Sequence, residues 1–243
     1  MIAKGRIERL RRGVSKWLVR VTPFRLLGGY KHPLKLELLG QGDGAWTIPT
    51  NVLGPTSICY CFGVGCDASF DVVLSKRYTC PVYSFDPTPS SIEYMSQHLD
   101  WPLVFKPWGI WSCDTTMALF HQDVSDVTNL SLINPGDFRG GKRADVELYS
   151  LKTIMQRLGH KKVALIKMDI EGAWFEVLQN MTESSIVPDV LCVEFDSPTS
   201  FLKVVKTIRL LRKAKLICIH RQRDDYMFVK EKFLAASGSP EVH

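Results

Sequence analysis

The sequence predicts an α/β fold in which a mainly parallel sheet is covered by helices on both faces. From residue 57 onward, short apolar runs alternate with segments of helical spacing, a pattern typical of parallel strands joined by crossover helices. The first such run, "SICYCF", leads straight into a glycine turn that opens a helix. The length of 243 residues and the hydrophobic content of 45% suffice for one large domain with its own core.

The basic residues are concentrated at the start of the chain. Residues 1–35 carry a charge of +9, and the remaining residues carry −3. We therefore expect no nucleic-acid partner for the body of the protein. Apolar residues spaced by three or four predict a leader helix that ends at Pro23, namely Ile7, Leu10, Val14, Trp17, Leu18 and Val21.

Three interpretations of this leader remain open. Its apolar stripe could dock on the main domain, residues 4–21 could lie on an anionic membrane surface, or the segment could be an organellar transit peptide. No apolar run approaches the ~20 residues that span a bilayer.

The cysteines indicate a reducing compartment. The seven cysteines include no C-x-x-C pair, so we expect neither a disulfide framework nor a metal site. We therefore expect the protein to be cytoplasmic. If residues 4–21 contact a membrane, the protein would be cytoplasmic and associated with the membrane surface.

The elements follow from the periodicity of each segment. Helical spacing or caps predict helices in "DASFDVVLSKRY", "PSSIEYMSQHL", "ELYSLKTIMQRLG", "EGAWFEVLQN" and "SFLKVVKTIRLLRK". Apolar runs predict strands or extended pieces in "SICYCF", "PVYSF", "LVFKPWGIW", "TTMALF", "KVALIKMD", "DVLCVEF" and the pair "KLICIH" and "YMFVK". Residues 121–144 are predicted to form a long polar loop. We expect a leader over residues 1–35, a domain over 36–234 and a disordered tail over 235–243.

The glycine turn predicts a nucleoside cofactor. Residues 63–68 satisfy the pattern G-x-G-x-x-G/A, in which glycines let a ligand approach the backbone closely. Asp86 lies 19 residues beyond Asp67, at the end of the next strand, where an acid can accept hydrogen bonds from ribose hydroxyls. NAD needs the N-terminus of the helix for its pyrophosphate, and Asp67 would compete with that anion. S-adenosylmethionine carries a cationic amino group and a sulfonium, which suit the aspartate better.

Four segments together resemble the FkbM-type S-adenosylmethionine-dependent methyltransferases. They are "CYCFGVGCDASFD", "VYSFDPTP", "KPWGIWSCDTTMALF" and "LIKMDIEGAWFEVL", and the resemblance runs in order over roughly residues 45 to 195. It implies a Rossmann-like class I methyltransferase fold, with seven strands in the order 3-2-1-4-5-7-6 and only the last strand antiparallel. Trp174 departs from the family, which commonly has an acidic residue after the alanine.

The resemblance also implies which residues hold S-adenosylmethionine. Gly63, Val64 and Gly65 would pass beneath the methionine and ribose portions, with Asp67 near the amino end. Asp86 would hold the ribose hydroxyls, with Pro87 and Thr88 beside it. The adenine would be flanked by Gly109, Ile110 and Trp111.

Three carboxylates are the catalytic candidates. Asp169 and Glu194 end strands, and Glu171 follows Asp169 by two residues, so all three are expected at the carboxyl edge of the sheet, where ligands bind. Such a carboxylate could take the proton of an acceptor hydroxyl. Glu171 could instead stabilise a helix dipole and Asp169 could cap a helix, whereas Glu194 interrupts an apolar run and is harder to explain structurally.

The sequence thus predicts an O-methyltransferase that acts on a hydroxyl acceptor, a small molecule or a glycan, with the sugar or glycan intermediate as an implication of the family alone. Two alternatives remain. One is an NAD-dependent oxidoreductase on a Rossmann fold, which Asp67 and the "KMDIEGAW" segment disfavour. The other is a non-catalytic peripheral membrane protein that acts through its leader.

Overall fold

The computed structural model describes residues 32–121, 142–170, 172–195 and 200–235. Three predictions fall outside these residues: the leader helix over residues 4–21, the catalytic candidate Glu171 and the tail after residue 235. The central part of the predicted polar loop, residues 122–141, also lies outside them.

Twelve strands, six α-helices and one short 3-10 helix (Gly42–Gly44) make up the described fold. The strands are β1 (Leu36–Leu39), β2 (Trp46–Pro49), β3 (Cys59–Phe62), β4 (Val82–Phe85), β5 (Val104–Lys106), β6 (Gly109–Ile110), β7 (Thr115–His121), β8 (Lys142–Tyr149), β9 (Leu165–Met168), β10 (Val190–Glu194), β11 (Leu216–Gln222) and β12 (Asp225–Lys230). The helices are α1 (Ser69–Tyr78), α2 (Pro89–Ser96), α3 (Leu151–Leu158), α4 (Trp174–Glu183), α5 (Phe201–Lys213) and α6 (Glu231–Ala235).

The central sheet has the predicted topology. Its order is β5-β4-β3-β9-β10-β12-β11, which is 3-2-1-4-5-7-6 when these seven strands are numbered along the chain. Strand β12 runs antiparallel to both of its neighbours, while the strands from β5 to β10 pair in parallel. The prediction of a seven-stranded, mostly parallel α/β fold is therefore confirmed.

Two smaller sheets differ from the predicted elements. Strands β1 and β2 form an antiparallel pair that the sequence did not predict. Strand β8 pairs with β7 and β6, so the predicted helix "ELYSLKTIMQRLG" is wrong over its first residues and begins only at Leu151. The predicted loop over residues 121–144 is likewise too long, since His121 ends β7 and Lys142 begins β8.

The core lies on both faces of the central sheet. Helices α3, α4 and α5 bury their apolar sides on one face, against residues such as Tyr60, Phe62 and Leu191. Helix α1 and the β1–β2 pair pack on the other face. Trp174 opens α4 and is 1% exposed, with its ring 4.6 Å from that of Phe195. The residue that departs from the resembled family is therefore a core residue.

All seven cysteines are free thiols, and five of them are buried. Burial raises the pKa of Cys192 and Cys218, as expected of thiols that act as small apolar side chains. Within the part of the chain that the structure describes, no helix is both long and apolar enough to cross a bilayer.

Candidate functional site

A cavity of about 590 Å³ opens at the carboxyl ends of β3, β4, β9 and β10. This volume is within the range of small-molecule and cofactor sites. Its position is the one at which open α/β sheets bind ligands, since α1 leaves β3 toward one face and α4 leaves β9 toward the other. The cavity is lined by Asp43, Gly44, Phe62, Gly63, Val64, Gly65, Cys66, Asp67, Phe85, Asp86, Pro87, Thr88, Ser90, Trp108, Gly109, Ile110, Leu148, Lys167, Asp169, Ile170, Ala173 and Glu194.

The glycine turn after β3 is pressed against the end of β9. Gly63 has a φ of +84°, and a Cβ there would collide with the backbone carbonyl of Asp169. The amide of Gly63 donates to the carbonyl of Phe85 at 2.9 Å, and the amide of Asp169 donates to the carbonyl of Phe62 at 3.0 Å. Only glycine fits this crossing, because both the backbone conformation and the available space exclude a side chain.

Asp86 holds the turn from the side of β4. Its Oδ2 accepts hydrogen bonds from the amides of Val64 (2.9 Å) and Gly65 (3.0 Å), and its Oδ1 accepts one from the amide of Thr88 (2.9 Å). The side chain is buried. A carboxylate oxygen can accept about two hydrogen bonds, so Oδ1 keeps the capacity for a further donor.

Asp67 has a structural partner as well as a place in the cavity wall. Its Oδ1 accepts a hydrogen bond of 2.8 Å from the amide of Ser69 in the first turn of α1. The residue is exposed, and the absence of a side chain at Gly44 leaves room for its carboxylate. The carboxylate therefore caps the start of α1 while it remains open to solvent.

Aromatic rings and a second glycine form the wall opposite the turn. Phe85 stacks on Phe62 with 4.6 Å between ring centroids and on Trp108 with 6.4 Å. A Cβ on Gly109 would collide with the side chain of Leu148, so β6 and β8 pack closely there.

The structure brings most of the predicted cofactor residues together. Those that line the cavity are Gly63, Val64, Gly65, Asp67, Asp86, Pro87, Thr88 and Gly109. Trp111 does not line it and packs instead beside Val146 and Leu148. Trp108, which the sequence reasoning missed, takes the place at the wall. No binding role follows from position alone, so these assignments stay predictions.

Two of the three predicted catalytic carboxylates line the same cavity. Asp169 follows β9 and Glu194 ends β10, and the side chain of Asp169 is 37% exposed. Asp225 faces Glu194 across the β10–β12 pair. Burial and the neighbouring Asp169 raise the pKa of Asp225 to about 6. This edge of the sheet is consequently crowded with negative charge.

Lys167 is the basic residue among the described residues that line the cavity, and the sequence reasoning missed it. Its ammonium donates to the carbonyl oxygen of Gly63 at 2.5 Å and lies 3.7 Å from Oδ2 of Asp169. Burial opposes its charge, but Asp169 and Asp71 outweigh burial and raise the pKa of Lys167. The position of a charged residue inside the apolar run "ALIKM" was the signal that could have revealed Lys167. The same kind of signal singled out Glu194.

Among the described residues, no three His, Cys, Asp or Glu side chains are grouped so that they could hold a metal ion.

His160 lies outside the cavity wall. Its Nδ1 is 2.6 Å from the hydroxyl of Tyr60, and burial lowers its pKa.

The comparisons with known proteins point to one family. The family model described as "Methyltransferase FkbM domain" matches residues 66–215, well over half of the chain. A comparison with curated proteins gave no match.

The chain is also similar to several solved structures. One is a fibrillarin/Nop5p complex, at 12% identity and a TM-score of 0.41, covering 71% of this chain and 70% of that chain. A second is precorrin-6y C5,15-methyltransferase from Geobacter metallireducens, at 9% identity and a TM-score of 0.41, covering 74% and 84%. A third is M. jannaschii TYW2 in complex with AdoMet, at 9% identity and a TM-score of 0.36, covering 83% and 88%.

Replacing Gly63 by alanine is expected to destabilise the protein by about 3 kcal/mol or more, because the new Cβ has neither the space nor the backbone conformation it needs. Urea unfolding measures the loss. Gly54→Ala is the matched control, since a Cβ at Gly54 meets no atom within 4 Å. Equal stability of the two variants would contradict the described crossing of the turn and β9.

Proposed function

The chain belongs to the methyltransferase FkbM domain family and is an S-adenosylmethionine-dependent methyltransferase, and we propose that it methylates a hydroxyl group of a sugar or glycan intermediate. The observation that carries the choice of a cationic cofactor, and with it methyl transfer, is the charge of the cavity wall. Among the described residues that line it, five are acidic (Asp43, Asp67, Asp86, Asp169 and Glu194), against the single ammonium of Lys167.

This charge favours a cationic cofactor over a dinucleotide. A pyrophosphate would be repelled by the acidic wall, and the start of α1 is already occupied by the carboxylate of Asp67. A sulfonium and an ammonium are attracted by the same wall. When bound, S-adenosylmethionine supplies an electrophilic methyl group. These features support the methyltransferase over the NAD-dependent oxidoreductase.

We assign the cofactor contacts to the glycine turn and Asp86. The backbone of residues 63–65 offers a surface without side-chain obstruction at Gly63 and Gly65. Asp86 retains acceptor capacity on Oδ1 for a ribose hydroxyl, since within the described part of the chain that oxygen accepts one hydrogen bond, from the Thr88 amide. Trp108 and Gly109 would flank the adenine, and the roles of Pro87 and Thr88 follow from their place beside Asp86.

We assign the acceptor side to the carboxylates. Methyl transfer to oxygen requires loss of the hydroxyl proton, and a carboxylate in reach can accept it. Asp169 is the first choice as base, since its side chain lines the cavity and is partly exposed. Glu194 is the second choice, and Glu171 remains a candidate from the sequence. Holding the acceptor in line with the methyl group would supply much of the rate.

Calorimetry with S-adenosylmethionine and NAD tests the cofactor assignment. Wild-type protein is expected to bind S-adenosylmethionine and not NAD. Asp86→Asn should weaken this binding about tenfold, because the amide cannot accept all the hydrogen bonds of the carboxylate. Asp189→Asn is the matched control, a buried carboxylate paired with Lys162, Lys230 and Lys232, which do not line the cavity. Binding of NAD alone would favour the oxidoreductase.

Transfer of a radiolabelled methyl group to sugar and glycan extracts tests the acceptor side. Asp169→Asn should lower the rate by about 10² to 10⁴-fold and leave the Kd for S-adenosylmethionine within a few-fold of wild type. Asp100→Asn, at an exposed aspartate that does not line the cavity, is the control and should change the rate little. If Glu194→Gln abolishes transfer while Asp169→Asn does not, the base is Glu194.

We also propose that residues 1–35 are a leader separate from a methyltransferase domain of residues 36–234, and that residues 4–21 contact an anionic membrane surface. The charge of +9 and the apolar stripe support this. Helix α5 adds support from the described residues, since Lys206, Arg209 and Lys213 are exposed on it and its sequence contains no acid.

Vesicle sedimentation tests the membrane contact. The full chain is expected to bind vesicles rich in phosphatidylglycerol, to bind phosphatidylcholine vesicles much less, and to dissociate at high salt. A chain lacking residues 1–22 should lose this binding and keep its affinity for S-adenosylmethionine. Undiminished vesicle binding after the deletion would rule out the leader as the contact.

A further inference from the structure

A lysine lies in an otherwise apolar strand of the central sheet. Lys167 belongs to β9, in which Leu165, Ile166 and Met168 are completely buried, and Lys167 itself is only 5% exposed. Burying an ammonium is costly unless charges and hydrogen bonds compensate it. Replacing buried ion pairs with apolar side chains is often neutral or stabilising, so stability alone does not account for a lysine here.

The compensating partners of Lys167 lie at the glycine turn. Its Nζ donates to the carbonyl oxygen of Gly63 (2.5 Å) and lies 3.7 Å from Oδ2 of Asp169. The ammonium also lies over the ring of Trp46, 5.6 Å from the ring centroid. Asp71, which accepts a hydrogen bond from Ser84, is a further negative neighbour.

The Gly63–Val64 peptide is held at both its carbonyl and its amide. The carbonyl of Gly63 and the amide of Val64 belong to one planar trans peptide, so the two groups point in opposite directions. The carbonyl accepts from Lys167, and the amide donates to Asp86 at 2.9 Å. A cation on β9 and an anion at the end of β4 therefore hold the plane of one peptide between them. Hydrogen bonds in such a chain strengthen one another in a low-dielectric interior.

We infer that Lys167 is a positioning residue that fixes the Gly63–Val64 peptide and the carboxylate of Asp169 for the cofactor and the acceptor. The inference rests on the proposed function for its catalytic consequence. Its chemistry excludes a role as base: the neighbouring Asp169 and Asp71 stabilise the charged form more than burial penalises it, so the lysine has no free electron pair to accept a proton.

Lys230 provides a matched control. Its Nζ donates to the carbonyl of Val187 at 2.7 Å and lies 3.2 Å from Oδ1 of Asp189, which is the same combination of a carbonyl and an aspartate. Lys230 ends β12, next to the start of β10 and thus at the edge of the sheet opposite the cavity. A general effect of losing a lysine that is held by a carbonyl and an aspartate should appear in both variants, and a positioning effect only in the Lys167 variant.

The experiment compares wild type with Lys167→Met, Lys167→Arg and Lys230→Met by two readouts. Hydrogen exchange of the amides of residues 63–66 is measured without cofactor, and the Kd for S-adenosylmethionine is measured by calorimetry. Lys167→Met should speed exchange at Val64 and Gly65 at least about tenfold and weaken the cofactor about 10- to 100-fold. Lys167→Arg should lie between it and wild type, because the charge is kept but the donor is displaced. Lys230→Met should change neither.

The outcomes separate the inference from the proposed function. Identical exchange and affinity in Lys167→Met and Lys230→Met would overturn the role of Lys167. If Lys167→Met does not fold, Lys167→Arg decides, and its having wild-type exchange and wild-type affinity would overturn the role as well. If wild type does not bind S-adenosylmethionine, the proposed function fails, whereas the contrast in hydrogen exchange still decides whether Lys167 positions the turn.

Discussion

The crossing of the glycine turn over the end of β9 is the constraint on which the site depends. Strands β3 and β9 are neighbours in the sheet, and the chain leaves β3 at Gly63, where the carbonyl of Asp169 occupies the space that a side chain would need. Because the two following helices depart to opposite faces, a crevice must open between them. The cavity is thus a consequence of strand order and of one missing Cβ.

The buried charges at this crevice lower stability, but they fix the geometry of the glycine turn. The buried ammonium of Lys167 and the buried carboxylates of Asp71 and Asp86 cost solvation, and each is offset by hydrogen bonds to the backbone or to a hydroxyl. The result is a turn whose amides and carbonyl are oriented before any ligand arrives. Such preorganisation lowers the cost of binding more than additional contacts would.

Sequence reasoning recovered what periodicity encodes and missed what depends on tertiary contacts. The apolar runs predicted all seven strands of the central sheet, including the closing pair β11 and β12. Strand β8 was missed because "ELYSLKTIMQ" continues the helical spacing of α3 backward across Ser150, whose side chain in fact caps the helix. Trp111 was expected at the adenine because the resemblance placed Gly109 to Trp111 there. Strand β6 is only two residues long, too short for alternation to show that Trp108 lines the cavity instead.

The two halves of the site are built from different materials. On the proposed cofactor side, the wall consists of backbone atoms of residues 63–65 held by the buried carboxylate of Asp86, so a substitution there disturbs the fold itself. On the proposed acceptor side, side chains such as Asp169 and Glu194 lie at strand ends, and the β6–β8 pair forms the neighbouring wall. Side chains at strand ends can change without moving the turn. Under the proposed roles, the wall on the acceptor side can change while the turn and the proposed base Asp169 keep their relative position, because Asp169 follows the same β9 that supports the turn.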